Sequence, residues 1–142
     1  MNEKMYQEEL LEHFRKPQNN ILVEDPDFKV EENNPSCGDV LTMTGVVAAG
    51  TVMKLGFQGR GCVISQATAS MLTEECLGKS LDAVLLLTSD DITKLIGVTL
   101  GPVRLRCALL ALNVLHRGIM QCKQKRKDIN DYCKNNDKKF LG

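Results

Sequence analysis

The stretch Asn34-Pro35-Ser36-Cys37-Gly38-Asp39 constrains this chain more than any other. Proline fixes its own φ and biases Asn34 toward an extended conformation, while Gly38 permits a left-handed or otherwise tight backbone. A thiol and a carboxylate two residues apart are thereby held in one turn, where both side chains can face one point. Two more cysteines occupy similarly marked places. Cys62 follows Gly59-Arg60-Gly61 at the expected start of a helix, and Cys107 lies about a turn inside another that opens at Gly101-Pro102. Three thiols and one carboxylate make a four-ligand set.

The elements around these positions follow from periodicity. Tyr6, Leu10, Leu11 and Phe14 form the stripe of a short amphipathic helix that must stop by Pro17. The segment Ile21 to Glu32 is acidic and mixed, with a strand expected around Phe28-Lys29-Val30 and limited by Pro26. From Val40 to Phe57 the β-branched and apolar content predicts two strands joined by a tight turn at Ala48-Ala49-Gly50, a hairpin that carries the chain from Asp39 to Cys62. Ser65 to Leu77 is helical by composition, with Ile64, Ala67 and Met71 on one stripe and Gly78 as a stop. Ser80 and Ser89 are the expected N-caps of two shorter helices, the second reinforced by Asp90 and Asp91 and ended by Gly97. The longest helix is expected from about Pro102, a good first-turn residue, to about Cys122. Strands first and helices afterwards predict an α+β domain, a small antiparallel sheet of about three strands with helices on one face.

Composition narrows the chemistry. With 142 residues and 43% hydrophobic content, residues 1–142 are expected to form one domain with a single core. Formal charge is zero, and four Phe, two Tyr and no Trp make a poor base-stacking platform, so nucleic acid is not an expected partner. Met1 to Leu10 is polar and acidic, without the segments of a secretory signal, and no apolar run approaches the ~20 residues of a membrane span. The expected compartment is the cytoplasm, where six cysteines point to a metal or reactive-sulfur site rather than to disulfides. Charge is also uneven: residues 1–32 hold nine acidic and four basic side chains, net −5, and residues 123–142 hold seven basic and three acidic, net +4. That basic tail is either a solvated helix end or a docking surface for an acidic partner.

Thiolates are preferred ligands of zinc and of iron-sulfur clusters. Intervals of 25 residues from Cys37 to Cys62 and 45 from Cys62 to Cys107 exclude a CxxC zinc finger and require a site assembled from distant loops. A helix N-terminus at Cys62 favours a nucleophilic thiolate, and Arg104 and Arg106 could add positive potential. Asp39 offers a harder oxygen, a weaker ligand among sulfurs, which would make the bound species exchangeable. Cys76, Cys122 and Cys133 lie in no motif and are expected in packing or incidental positions. His13 and His116 are expected as surface or packing residues rather than ligands, and Tyr6 as a core anchor or, alternatively, a partner or dimer contact.

At these residues the chain resembles the IscU/SufU family, proteins similar to the N-terminal domain of NifU that serve as scaffolds for iron-sulfur cluster assembly. The resemblance runs from Tyr6 through Leu11-Glu12-His13-Phe14-Arg15-Lys16-Pro17 to Asn19, then Asn34 to Asp39, Gly61-Cys62 to Thr73, and Pro102-Val103-Arg104-Leu105-Arg106-Cys107. It implies a SufE/NifU-like fold and a scaffold or carrier rather than an enzyme, with a transient [2Fe-2S] cluster, iron, or zinc held by Cys37, Asp39, Cys62 and Cys107. It further implies sulfur supplied by a pyridoxal-phosphate cysteine desulfurase and transfer of the cluster to apo iron-sulfur proteins. Cys107 is the favoured persulfide acceptor on the resemblance, and Cys62 competes on helix-terminus grounds.

Two departures divide the family's subtypes. IscU-type members carry a His before the third Cys and a Leu-Pro-Pro-Val-Lys stretch gripped by a dedicated Hsp70 chaperone; here those places are Arg106 and Leu100-Gly101-Pro102-Val103-Arg104. Arg106 and Gly61-Cys62-Val63-Ile64-Ser65 look like the SufU type, yet the interval from Cys62 to Cys107 lacks the SufU insertion. A cluster scaffold is the leading expectation, a zinc-dependent sulfurtransferase the alternative, and a structural zinc domain or unrelated thiol enzyme the third.

Overall fold

The computed structural model describes residues 2–35 and 38–141, with side chains through residue 125. Cys37 and the side chain of Cys133 lie outside the described residues.

Among the described residues three strands, β1 (Phe28–Asn34), β2 (Asp39–Ala48) and β3 (Thr51–Arg60), form an antiparallel sheet in the order β1-β2-β3. The β2–β3 hairpin turns at Ala49 and Gly50, both with positive φ, as a two-residue turn compatible with strand twist requires. Register decides which side chains go inward. Val30 pairs with Met43, Met43 with Phe57 and Phe28 with Gly45, so Phe28, Val30, Leu41, Met43, Leu55 and Phe57 share the buried face. Asn34 and Asp39 are themselves Cα partners on that face, at the end where the hydrophobic side chains run out.

Five helices complete the fold among the described residues: α1 (Glu3–Arg15), α2 (Val63–Cys76), α3 (Leu81–Leu85), α4 (Ser89–Ile96) and α5 (Pro102–Leu141). α2 is the hub, in contact with α1, α4, α5 and β3. The expected stripe of Ile64, Ala67 and Met71 is buried, but so are Ser65, Thr68, Ala69, Ser70, Leu72 and Thr73. Small residues let neighbours close in on several sides of this helix. α5 packs on β1 and β2, so close to β1 that a Cβ at Gly118 would stand 2.2 Å from the Phe28 ring.

The α+β architecture is as expected, and three details differ. β1 extends to Asn34, since its alternation of buried and exposed residues continues until the turn. The cap of α4 is Thr88 rather than Ser89: Asp91 N–H donates to Thr88 Oγ1 and Thr88 N–H to Asp91 Oδ2, a reciprocal box that Ser89 is one residue too late to make. α5 continues past Cys122, through a segment with no Pro or Gly before Leu141 and many good helix formers.

The acidic segment after α1 crosses the sheet's outer face. Val23 N–H donates to Thr44 Oγ1, and Gly56 leaves room for the Ile21 carbonyl, which a Cβ would approach to 2.1 Å. His13 Nδ1 and the Gln18 N–H both meet Ser70 Oγ at 2.7 Å, tying the end of α1 and the following loop to α2. His116 Nε2 donates to the Val84 carbonyl. Both histidines are packing residues, as their positions predicted. Tyr6 packs against the core with its ring over Gly97. Among the described residues no helix is long and apolar enough to cross a membrane.

Candidate metal centre

Three elements each deliver one side chain to the open end of the core face. Asp39 is the first residue of β2, Cys62 is the N-cap of α2, and Cys107 sits in the second turn of α5. A carboxylate oxygen of Asp39, Cys62 Sγ and Cys107 Sγ all lie within 4.8 Å of one another. Asp39 and Cys107 are buried, at 1% and 3% exposure, and Cys62 is half-buried.

The local geometry follows from the helix start. The first N–H groups of an α-helix have no intrahelical acceptor. The Ser65 N–H points to Cys62 Sγ at 3.5 Å, so the thiol takes the capping place that an oxygen usually holds. The Cys62 N–H donates to Asp39 Oδ1 at 2.9 Å, and Cys62 Sγ contacts Asp39 Oδ2 at 3.4 Å. One carboxylate thus holds both the backbone and the thiol of the residue that begins α2.

Gly61 makes that approach feasible. Its φ of +155° is a conformation L side chains rarely adopt, and a Cβ there would lie 2.2 Å from Asp39 Oδ1. At the start of β2, Gly38 has φ +73° and its N–H bonds the Asn34 carbonyl at 2.8 Å. On the far side of the site, the Asn34 side-chain amide donates to Cys107 Sγ at 3.9 Å.

The donor set fits a thiophilic metal. With Zn–S bonds near 2.3 Å, two tetrahedral sulfur ligands stand about 3.8 Å apart. Donors already within 4.8 Å need only a small contraction to bind one ion. Asp39, Cys62 and Cys107, expected to converge, are brought together. Arg104 and Arg106 lie exposed on the first turns of α5, and Arg106 borders a groove of about 250 Å³ with Glu32, Asn34, Pro35 and Asn113.

Cys76 and Cys122 are buried core residues apart from this cluster. Burial pushes the Cys76 thiol up to about 11, well away from any role as a thiolate at neutral pH. Sequence reasoning missed two contributors. Asn34 was legible only as a turn residue, and Gly61 only as part of a glycine-marked helix entry; the available signal was their adjacency to Asp39 and Cys62, respectively in space and in sequence.

A three-stranded antiparallel sheet under a helical layer, with a carboxylate and two thiols converging at its end, defines an α+β domain with a loop-assembled thiol–carboxylate centre. Residues 5–129 match the NifU-like N terminal domain family, and the chain belongs to it. It is 32% identical over 132 residues to the zinc-dependent sulfurtransferase SufU of Bacillus subtilis, covering 81% of this chain and 89% of that protein. It is 32% identical over 126 residues to the iron-sulfur cluster assembly scaffold protein IscU 1 of Archaeoglobus fulgidus, covering 89% and 82%. The fold matches the crystal structure of a putative iron-sulfur cluster assembly scaffold protein for the SUF system from Fervidobacterium islandicum AW-1, with TM-score 0.72 and 21% identity over 84% of this chain and 99% of that one.

Proposed function

We propose that this protein is a scaffold for iron-sulfur cluster assembly, with Cys37, Asp39, Cys62 and Cys107 as the ligands of a transient [2Fe-2S] cluster. The observation that carries the reading is the convergence of Asp39, Cys62 and Cys107 within 4.8 Å, in a chain whose relatives include named scaffold proteins. The cluster is cargo. Sulfur comes from a cysteine desulfurase, and apo iron-sulfur proteins receive the product.

Chemically, a site thiolate attacks the outer sulfur of the desulfurase persulfide. The donor's S–S bond breaks, its cysteine thiolate leaves, and a persulfide forms on the scaffold. Conversion of that sulfane sulfur to sulfide then takes two electrons, drawn from ferrous iron and an external one-electron donor. Cys107 and Cys62 are the candidate acceptors. The half-buried position of Cys62 supports its meeting a partner's persulfide first, whereas Cys107 at 3% exposure requires the site to open.

A second reading, a zinc-dependent sulfurtransferase, is favoured by the likeness to SufU and by Arg106 in the place before the third cysteine. In it, zinc held by the same residues masks the thiols until the desulfurase arrives. Anaerobic reconstitution with ferrous iron, cysteine, a desulfurase and a reductant separates the two. Iron and acid-labile sulfide in equal amounts, with visible absorbance that moves to an apo-ferredoxin, is the expected result. A colourless protein keeping one tight zinc and accelerating the desulfurase would replace the scaffold reading with the second.

A further inference from the structure

Asn34 ends β1 directly opposite Asp39, and opposed residues of an antiparallel pair project to the same face. Its side chain therefore enters the site from the end of its strand, as Asp39 does, and it is buried at 9% exposure. The amide nitrogen faces Cys107 Sγ at 3.9 Å. An amide NH₂ can only donate, and a thiolate sulfur accepts. The two described thiols of the site are thus served differently. Cys62 Sγ receives a backbone N–H from Ser65, at the end of its own helix, while Cys107 Sγ receives a side-chain N–H from another element of the fold.

Position adds a second consequence. Asn34 also lines the groove it shares with Pro35, Arg106, Leu110 and Asn113. Asn34 thus borders both that groove and the Cys107 sulfur.

We propose that Asn34 is the positioning residue of Cys107, its amide N–H holding the sulfur toward Asp39 and Cys62 and drawing electron density from it when a metal is bound. The inference rests on Cys107 serving as a ligand. A donor of this kind outside the ligand shell orients the ligand and tunes its bond to the metal, and its loss typically costs 10–100-fold in affinity.

The test uses the full chain loaded with Co²⁺ or Zn²⁺, comparing parent, Asn34→Ala, Asn34→Asp and Cys107→Ala. Asn34→Asp is nearly isosteric and suits a turn but carries no donor, so it keeps the question open where Asn34→Ala does not fold. Expected for both Asn34 variants is a zinc dissociation constant raised about tenfold or more in chelator competition. With Co²⁺, the thiolate-to-metal charge-transfer band should move to longer wavelength, while the visible bands keep tetrahedral intensity. A charge-transfer band that does not move overturns the proposal, even if affinity falls, because a change confined to turn geometry would explain the loss. If Cys107→Ala leaves affinity and the charge-transfer intensity at parental values, the ligand reading fails first and the proposal goes with it. If Cys107→Ala loses both while the folded Asn34 variants match the parent, the proposal alone fails.

Discussion

Replacing Gly61 by Ala strikes the contact on which both the start of α2 and the metal centre depend. The new Cβ would sit 2.2 Å from Asp39 Oδ1 and 2.6 Å from Asp39 Cγ, both well inside ordinary contact. Asp39 is buried, so its carboxylate has no open space into which to swing, and relief requires moving the turn or the first residues of α2. Two costs combine. A non-glycine residue at φ +155° stores about 1–3 kcal/mol of backbone strain. Displacing the carboxylate weakens the 2.9 Å bond from the Cys62 N–H, a charged hydrogen bond worth roughly 1.5–3 kcal/mol. Partial relaxation should leave a net loss of about 2–4 kcal/mol, measured as the urea midpoint of the metal-free protein. Zinc affinity, read by chelator competition, should fall at least tenfold because the Asp39 carboxylate, Cys62 Sγ and Cys107 Sγ no longer share one point. Gly38→Ala is the control. Its φ of +73° carries a left-handed penalty of about 1–2 kcal/mol, but its Cβ would meet nothing within 4 Å. If Gly61→Ala is no more destabilising than Gly38→Ala and binds zinc within twofold of the parent, the coupling of Gly61 to Asp39 is wrong.

Cys37→Ala, Cys62→Ala and Cys107→Ala should each abolish stable metal binding in a gel-filtration and metal-count assay, while Cys76→Ala and Cys122→Ala keep it; full retention in two of the first three would remove the ligand assignment. In the metal-free protein, timed alkylation with mass-spectrometric readout should label half-buried Cys62 well before Cys107 and Cys76, and equal rates would contradict the burial seen here. Burial raises Cys76 from near 9 to about 11 in the folded state, so the folded state holds that proton more tightly than the unfolded one. Its contribution to stability is present below about pH 9 and is lost as pH rises toward 11, on the order of 2–3 kcal/mol in all. Denaturation midpoints from pH 8 to 11 should fall less steeply in Cys76→Ala than in the parent, and parallel curves would refute it. Asp39→Ala should destabilise the metal-free protein and slow cluster hand-over to an apo-ferredoxin. Asp39→Asn, which keeps an acceptor for the Cys62 N–H, should recover the stability without the hand-over, and hand-over at parental rates in both would return Asp39 to a purely structural role.

Legibility followed the range of the interaction concerned. The helix stop at Gly97 and the hairpin at Ala49-Gly50 were readable because each rests on a few consecutive residues. The Thr88 cap shows where local signals compete: Thr88 and Ser89 are both good caps, and only the reach of Asp91 back to Thr88 N–H separates them. α2 exposed the limit of periodicity. A stripe of Ile64, Ala67 and Met71 describes a helix with one buried face, whereas this one is packed on several sides because α1, α4, α5 and β3 meet it. Asp39, Cys62 and Cys107 could be listed together from their turn and helix-start contexts and from family likeness. Their convergence is a property of strand register and of how α5 lies on the sheet, which no spacing encodes. The amide of Asn34 on Cys107 spans 73 residues and was invisible for the same reason.

The division of labour within Asp39 would let a site that releases its contents, as proposed above, sit on a rigid fold. Oδ1 is committed to the Cys62 N–H, a bond that fastens the first residue of β2 to the start of α2. Oδ2 faces Cys62 Sγ at 3.4 Å, so on the proposed ligand assignment it is the oxygen that a metal shared with that sulfur would use. On that assignment a metal would bind and leave at Oδ2 while the backbone bond at Oδ1 persists. The carboxylate is also the hardest donor among sulfurs, and the first that a competing thiol would replace. A cysteine in its place would have no second atom with which to hold the Cys62 N–H. The protein would gain a tighter grip on its cargo at the expense of the bond that sets the geometry of the grip.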